Sequence, residues 1–104
     1  VYKEATMTEY LYDAIRTDKH SPTTITAYIT DVNDETIQEN CHLTIYNGIG
    51  TVVILEKNGK YLPEALCWEF LLTTEEQENL YGRYLYSISH NNESLQFKQP
   101  IYFL

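Results

Sequence analysis

Apolar and polar residues alternate with period two in several separate stretches of this chain, the spacing of a strand with one face in a core and the other in water. The clearest stretch ends at Leu72, with Leu66, Trp68, Phe70 and Leu72 on one side and Cys67, Glu69 and Leu71 on the other. The first set is read as core. Tyr84-Leu85-Tyr86-Ser87-Ile88-Ser89 alternates in the same way, as does the β-branched run Thr24-Ile25-Thr26-Ala27-Tyr28-Ile29-Thr30. Thr36-Ile37 begins the next strand in this reading. Between Glu9 and Arg16, Leu11, Ala14 and Ile15 fit helical spacing, whereas Tyr10, Tyr12 and the β-rich neighbourhood favour a strand, and a strand is expected.

Turn residues punctuate these stretches. Asn47-Gly48-Ile49-Gly50 separates Cys41-His42-Leu43-Thr44-Ile45-Tyr46 from Thr51-Val52-Val53-Ile54-Leu55, and Asn-Gly is the pair that accepts the positive φ angles of a hairpin. Asn58-Gly59 predicts a second hairpin, a two-residue type I′ loop that completes a three-stranded meander. Pro63 cannot donate to a ladder, so pairing in that third strand is expected to begin at Leu66. In Thr73-Thr74-Glu75-Glu76-Gln77, Thr74 reads as a helix N-cap with Gln77 as its reciprocal partner, and Leu80 as the residue that closes the turn against the core. An Asn91-Asn92 turn leads into Leu95-Gln96-Phe97 and the last strand, Ile101-Tyr102-Phe103-Leu104, with Pro100 at a bulge or edge. The sum is an all-β chain, an immunoglobulin-like antiparallel β-sandwich of about seven strands. Leu43, Ile45, Trp68, Phe70, Leu72, Tyr84, Tyr86 and Ile88 are its expected core.

At 104 residues there is room for one such domain, spanning 1–104. The chain begins at Val1, so it is read as a fragment of a longer protein. Its apolar runs are too short to span a bilayer as helices, and no membrane partner is expected. Fifteen acidic against seven basic residues give a net charge of −8, which repels phosphate backbones and makes nucleic acid an unfavourable partner. The ten tyrosines fall mostly in strand-like segments, where the ring packs and the hydroxyl stays wet. Leu43 and Ile45 put Cys41 on the core face, Trp68 and Phe70 put Cys67 on the opposite face of its strand, and the two are expected as free thiols of a reducing compartment.

None of the patterns that carry catalysis survives inspection. His20, His42 and His90 stand apart, and Cys41 and His42 are strand neighbours that point to opposite faces, so no metal site is expected. No residue pattern activates Cys67 as a nucleophile, the glutamates at 75, 76 and 78 read as surface charge, and no phosphate loop, nucleophile elbow or zinc-hydrolase helix is present. Asn92-Glu93-Ser94 matches the glycosylation pattern, at a level chance explains. No catalytic residue and no cofactor is assigned.

One pattern is more specific. Leu80-x-Gly82-x-Tyr84-x-Tyr86-x-Ile88 is the arrangement of a tyrosine corner at the entry of the penultimate strand of an immunoglobulin-like sandwich. Gly82 lets the chain turn, and the Tyr84 hydroxyl is expected to hydrogen-bond back to the loop. Tyr86 stands where antibody domains place a cysteine, and Trp68 precedes the corner by one strand, so an antibody-type domain is ruled out.

The run Trp68-Glu69-Phe70-Leu71-Leu72-Thr73-Thr74-Glu75-Glu76, followed by Leu80-Tyr81-Gly82-Arg83-Tyr84-Leu85-Tyr86-Ser87-Ile88, resembles the closing half of the immunoglobulin-like domain at the N-terminus of phage baseplate upper proteins. The resemblance implies a structural role: docking to protein partners in an oligomeric tail assembly, without an active site. It also implies a location in the virion, or in the bacterial cytoplasm before phage assembly. The alternative expectation is a carbohydrate-binding or cell-surface adhesion sandwich. That reading needs an exposed aromatic platform, for which Tyr10, Tyr12, Tyr28 and Tyr46 are the candidates.

Overall fold

The computed structural model describes residues 3–6, 15–31, 33–95 and 98–104. The strands are β1 (Lys3–Thr6), β2 (Ile15–Thr17), β3 (Thr23–Thr30), β4 (Cys41–Tyr46), β5 (Val53–Asn58), β6 (Lys60–Leu62), β7 (Cys67–Leu72), β8 (Gly82–His90), β9 (Glu93–Ser94) and β10 (Gln99–Phe103), with one helical turn, α1 (Thr74–Gln77). One sheet has the order β1-β3-β7-β6 and the other β2-β10-β8-β4-β5, with β9 paired to β8. This is the strand order of an immunoglobulin-like sandwich, as the alternation predicts. The strand segments outnumber the expected seven because β1, β2, β6 and β9 are two to four residues long. One pairing departs from the antiparallel rule: β2 runs parallel to β10, with Ile15 opposite Ile101.

Period-two alternation decides which side chains meet between the sheets. In β3, Ile25, Ala27 and Ile29 are buried and Thr24 and Tyr28 exposed; in β7, Trp68, Phe70 and Leu72 are buried and Leu71 exposed. Leu43 and Ile45 of β4 and Tyr86 and Ile88 of β8 face them, joined by Ile15 of β2 and by Ile101 and Phe103 of β10, the expected last strand. Each such side chain contributes about 1.5–3 kcal/mol by leaving water. Tyr84 is half-buried and packs against this core.

Five sequence expectations are corrected. Asn58-Gly59 is not a hairpin: β5 pairs with β4 in one sheet, β6 pairs with β7 in the other, and the dipeptide carries the chain between layers. Neither residue has the positive φ that a type I′ turn requires. Gly59 is needed for space, since a Cβ there would lie 2.7 Å from the rings of both Trp68 and Phe70. The expected third strand is in fact two, β6 and β7, joined by a turn at Pro63, Glu64, Ala65 and Leu66. Leu66, expected in the core, occupies that turn at φ +54 and is exposed.

The helix cap is shifted by one residue. Thr73 is the N-cap: its hydroxyl accepts from the Glu76 N–H at 3.1 Å, and Glu76 accepts from the Thr73 N–H at 2.9 Å. Gln77, freed from capping, is fully buried; its amide donates to the carbonyls of Ser21 and Leu72 and accepts from the Thr23 hydroxyl. Finally, Thr36 and Ile37 start no strand. Thr36 makes an isolated bridge to Thr30, and the Ile37 carbonyl accepts from the Trp68 indole at 2.7 Å. The expected strand at 9–16 is described only from Ile15, where β2 begins, and Leu95 of the expected 95–97 strand is half-buried outside any strand. The rest of both lies outside the described residues.

Candidate functional site

The corner pattern is laid out at the start of β8. Leu80 is buried and its N–H donates to the Gln77 carbonyl at 2.9 Å, so it closes α1 onto the core as expected. Gly82 has φ +87, a conformation that L side chains rarely adopt. Tyr84 sets its ring edge-on to Phe103, with centroids 5.4 Å apart. No hydrogen bond to its hydroxyl is found among the described residues, so packing is what the structure assigns to it. Tyr86 is buried in the core cluster. Leu80 and Tyr86 are buried, and Gly82 and Tyr84 are partly so.

Cys41 and Cys67 are free and buried; Cys67, expected on the outer face of its strand, is only 3% exposed although it is not part of the core cluster. Burial pushes the Cys41 thiol up to about 11, and burial together with the nearby Glu69 charge raises that of Cys67. Both are protonated at neutral pH and poor nucleophiles. Among the described residues no three His, Cys, Asp or Glu side chains gather as a metal site would require.

The aromatic candidates do not assemble. Tyr28 is on β3 and Tyr46 on β4, in different layers of the sandwich. Tyr10 and Tyr12 lie outside the described residues. The Tyr46 hydroxyl is 3.2 Å from Ser87 Oγ, and Lys98 Nζ sits 4.2 Å from its ring centroid, which covers a ring face a sugar would need.

The surface that does stand out is the β4–β5 turn, which the sequence reading treated only as a hairpin. Asn47 Oδ1 accepts from the N–H groups of Thr51 at 2.8 Å and Val52 at 3.1 Å, and Gly50 takes φ +79 with its N–H donating to the Asn47 carbonyl. Positive φ therefore falls on Gly50 and not on Asn47-Gly48. Two cations clamp the turn from outside: Arg83 donates to the Gly48 carbonyl and Lys98 to that of Gly50, both at 2.8 Å. The turn thus held carries Ile49 at 79% exposure, followed by Val52, Val53 and Ile54 at 54%, 51% and 42%. These four apolar side chains are close in sequence and open to water. The register slips between Ile45 and Tyr46 opposite Leu55 and Val53, so Ile54 is the extra residue of a bulge in this edge strand. Among the described residues nothing pairs with the other edge of β5. The available signal was the unbroken run Val52 to Leu55, which does not alternate as a half-buried strand should.

At the opposite end of β4 and β5 lies an open depression of about 560 Å³, lined by Asn40, Cys41, His42, Asn58, Gly59, Trp68, Asn91 and Asn92. A smaller one of about 370 Å³ adjoins it through His42, Asn58 and Asn92 and reaches Glu56. The loops there are tied together by the Asn91 N–H donating to the Asn40 carbonyl at 3.1 Å. As expected, Asn91-Asn92 is a tight turn, with φ +51 and +66.

No protein-family model and no curated protein matches the chain. Among solved structures it is similar to the Lin-41 filamin domain, at a TM-score of 0.60 and 11% identity over 97% of this chain and 91% of that one. Likeness at that identity is a statement about architecture: the chain is an immunoglobulin-like β-sandwich.

Proposed function

We propose that this chain is a non-catalytic docking domain that uses the β4–β5 turn and the apolar start of β5 to contact another protein subunit. The observation that carries the reading is the exposed group Ile49, Val52, Val53 and Ile54 on a turn fixed by Asn47, Arg83 and Lys98. A rigid turn loses little conformational entropy on binding, so its apolar side chains act as anchors. The bulge at Ile54 and the charged Glu56-Lys57 that follow are devices that keep edge strands from extending a ladder, which favours side-chain contact over strand addition. The net charge of −8 disfavours close packing of identical copies and favours a partner whose apolar patch has a basic rim. Two buried, protonated thiols support a role without nucleophilic chemistry. The resemblance of residues 68–88 to baseplate upper proteins supplies the setting, a phage or prophage tail.

Co-expression with the products of the adjacent genes tests this. Wild type is expected to co-purify with one of them, and a Val52→Lys, Ile54→Lys variant of unchanged thermal stability is expected not to. Equal recovery of both variants, or a partner set with no tail component, overturns the corresponding half of the proposal.

A further inference from the structure

Charge is distributed unevenly over the two sheets. In a chain with fifteen acidic residues, β2, β4, β8 and β10, which belong to one sheet, contain no Asp or Glu, yet Arg16, Arg83 and Lys98, three of the seven basic residues, stand on the outer face of that sheet. Arg16, Tyr102 and Arg83 are register partners in one row across β2, β10 and β8. They are flanked along their strands by the inward-facing Ile15, Ile101, Phe103 and Tyr84, so the row points outward. Arg16 lies over the Tyr102 ring at 5.6 Å and Lys98 over that of Tyr46 at 4.2 Å, and all three cations are exposed. Charges held over rings are positioned before a partner arrives, so less side-chain freedom is lost on contact. Clamping the β4–β5 turn does not account for the charge: the Gly48 and Gly50 carbonyls are neutral acceptors, to which an uncharged amide could donate as well.

We infer that this face receives an acidic segment of the protein partner, with carboxylates set about 10 Å apart, the two strand spacings that separate Arg16 from Arg83. The inference rests on the docking reading, because Arg83 and Lys98 hold the docking turn and make the face continuous with it, and it specifies the partner's chemistry. A basic rim on the partner answers Glu56 and the acidic loops, while its carboxylates lie over the cationic row. Half-buried Tyr46, Leu85, Pro100 and Tyr102 lie between the cations, so apolar residues among the carboxylates also find a surface.

The test is NMR titration of the chain, at about 20 mM salt so that surface charges are little screened, with a short peptide alternating glutamate and valine. The same peptide with lysine for glutamate and a short oligothymidylate are the comparisons. The acidic peptide is expected to give saturable shifts of the Arg16, Arg83 and Tyr102 amides. Arg16→Glu is expected to weaken binding by about fivefold or more, since it turns an attraction into a repulsion. Lys98→Gln keeps a donor for the Gly50 carbonyl and loses only the charge, for an expected weakening of about threefold. Lys60→Glu changes the net charge as Arg16→Glu does but lies in the other sheet, and is expected to leave binding unchanged. Absence of saturable shifts up to about 5 mM peptide, equal binding of the lysine peptide, or equal weakening by Lys60→Glu overturns the inference. Oligothymidylate bound as tightly as the acidic peptide overturns the assignment to a protein segment. The Val52→Lys, Ile54→Lys variant retains every cation of the face, so the two readings separate. Peptide binding with equal recovery of that variant and wild type overturns the docking turn alone, and selective co-purification without peptide binding overturns the acidic segment alone.

Discussion

Space decides two single residues in this sandwich, Gly59 and Tyr84. Gly59 sits where the chain crosses between sheets, and a Cβ would approach the Trp68 and Phe70 rings to 2.7 Å. Gly59→Ala is therefore expected to lower stability by about 1–3 kcal/mol, the usual cost of forcing a methyl group into packed surroundings, read as a shift in denaturant midpoint. Tyr84 works by its ring, 5.4 Å from Phe103. Tyr84→Phe is expected to change stability by less than about 0.5 kcal/mol, whereas Tyr84→Ala costs about 3 kcal/mol through the lost packing. A large loss in the phenylalanine variant would restore the hydroxyl to the role that the corner pattern suggests. The thiols follow the same logic: with Cys41 and Cys67 buried and both pKa values raised, a thiol reagent at neutral pH should modify neither in the native chain and both after denaturation.

Among the elements, α1 and its surroundings carry a pH dependence with a definite sign. Burial alone would raise the Glu76 carboxyl, but hydrogen bonds from Lys57 Nζ at 2.8 Å and from the Thr73 N–H and hydroxyl outweigh it, so its pKa lies below the ordinary 4.5. A lowered folded value means that the contribution is complete above the unfolded value and is lost as pH falls through the folded one. The advantage of wild type over Glu76→Gln should be full at neutral pH and shrink progressively below pH 4.5; an advantage that grows on acidification would refute the pairing. The strands were legible wherever one face is buried, because Trp68, Phe70 and Leu72 or Ile25, Ala27 and Ile29 leave only one register for the core. Connections were less legible. Asn58-Gly59 has the composition of a hairpin, yet glycine serves close approach as well as positive φ, and only the rings across the sandwich decide which. The sequence pattern points to Thr74 although Thr73 is the cap, because both threonines have an acid or amide three residues on, and the burial of Gln77 selects between them. The site was harder still. Exposure of Val52 to Ile54 depends on β5 lying at an edge, and the row of Arg16, Tyr102 and Arg83 joins residues from position 16 to position 102, neither of which local spacing records.

The molecule as a whole combines an ordinary immunoglobulin-like core with one rigid apolar end. Its net charge is −8, its turn at 47–52 is clamped by backbone-directed cations, and its edge strand is bulged at Ile54. Docking through that end is the central claim. It is tested most directly by placing a photo-crosslinking amino acid at position 49 and, as a control on the outer face of the other sheet, at position 71, then irradiating cells that produce the chain alongside its native neighbours. Ile49 and Leu71 are both exposed, so neither replacement disturbs the core. The account predicts a discrete adduct to a second polypeptide from position 49 and none from position 71. Adducts of equal yield from both positions, or only dimers of this chain from position 49, would contradict it.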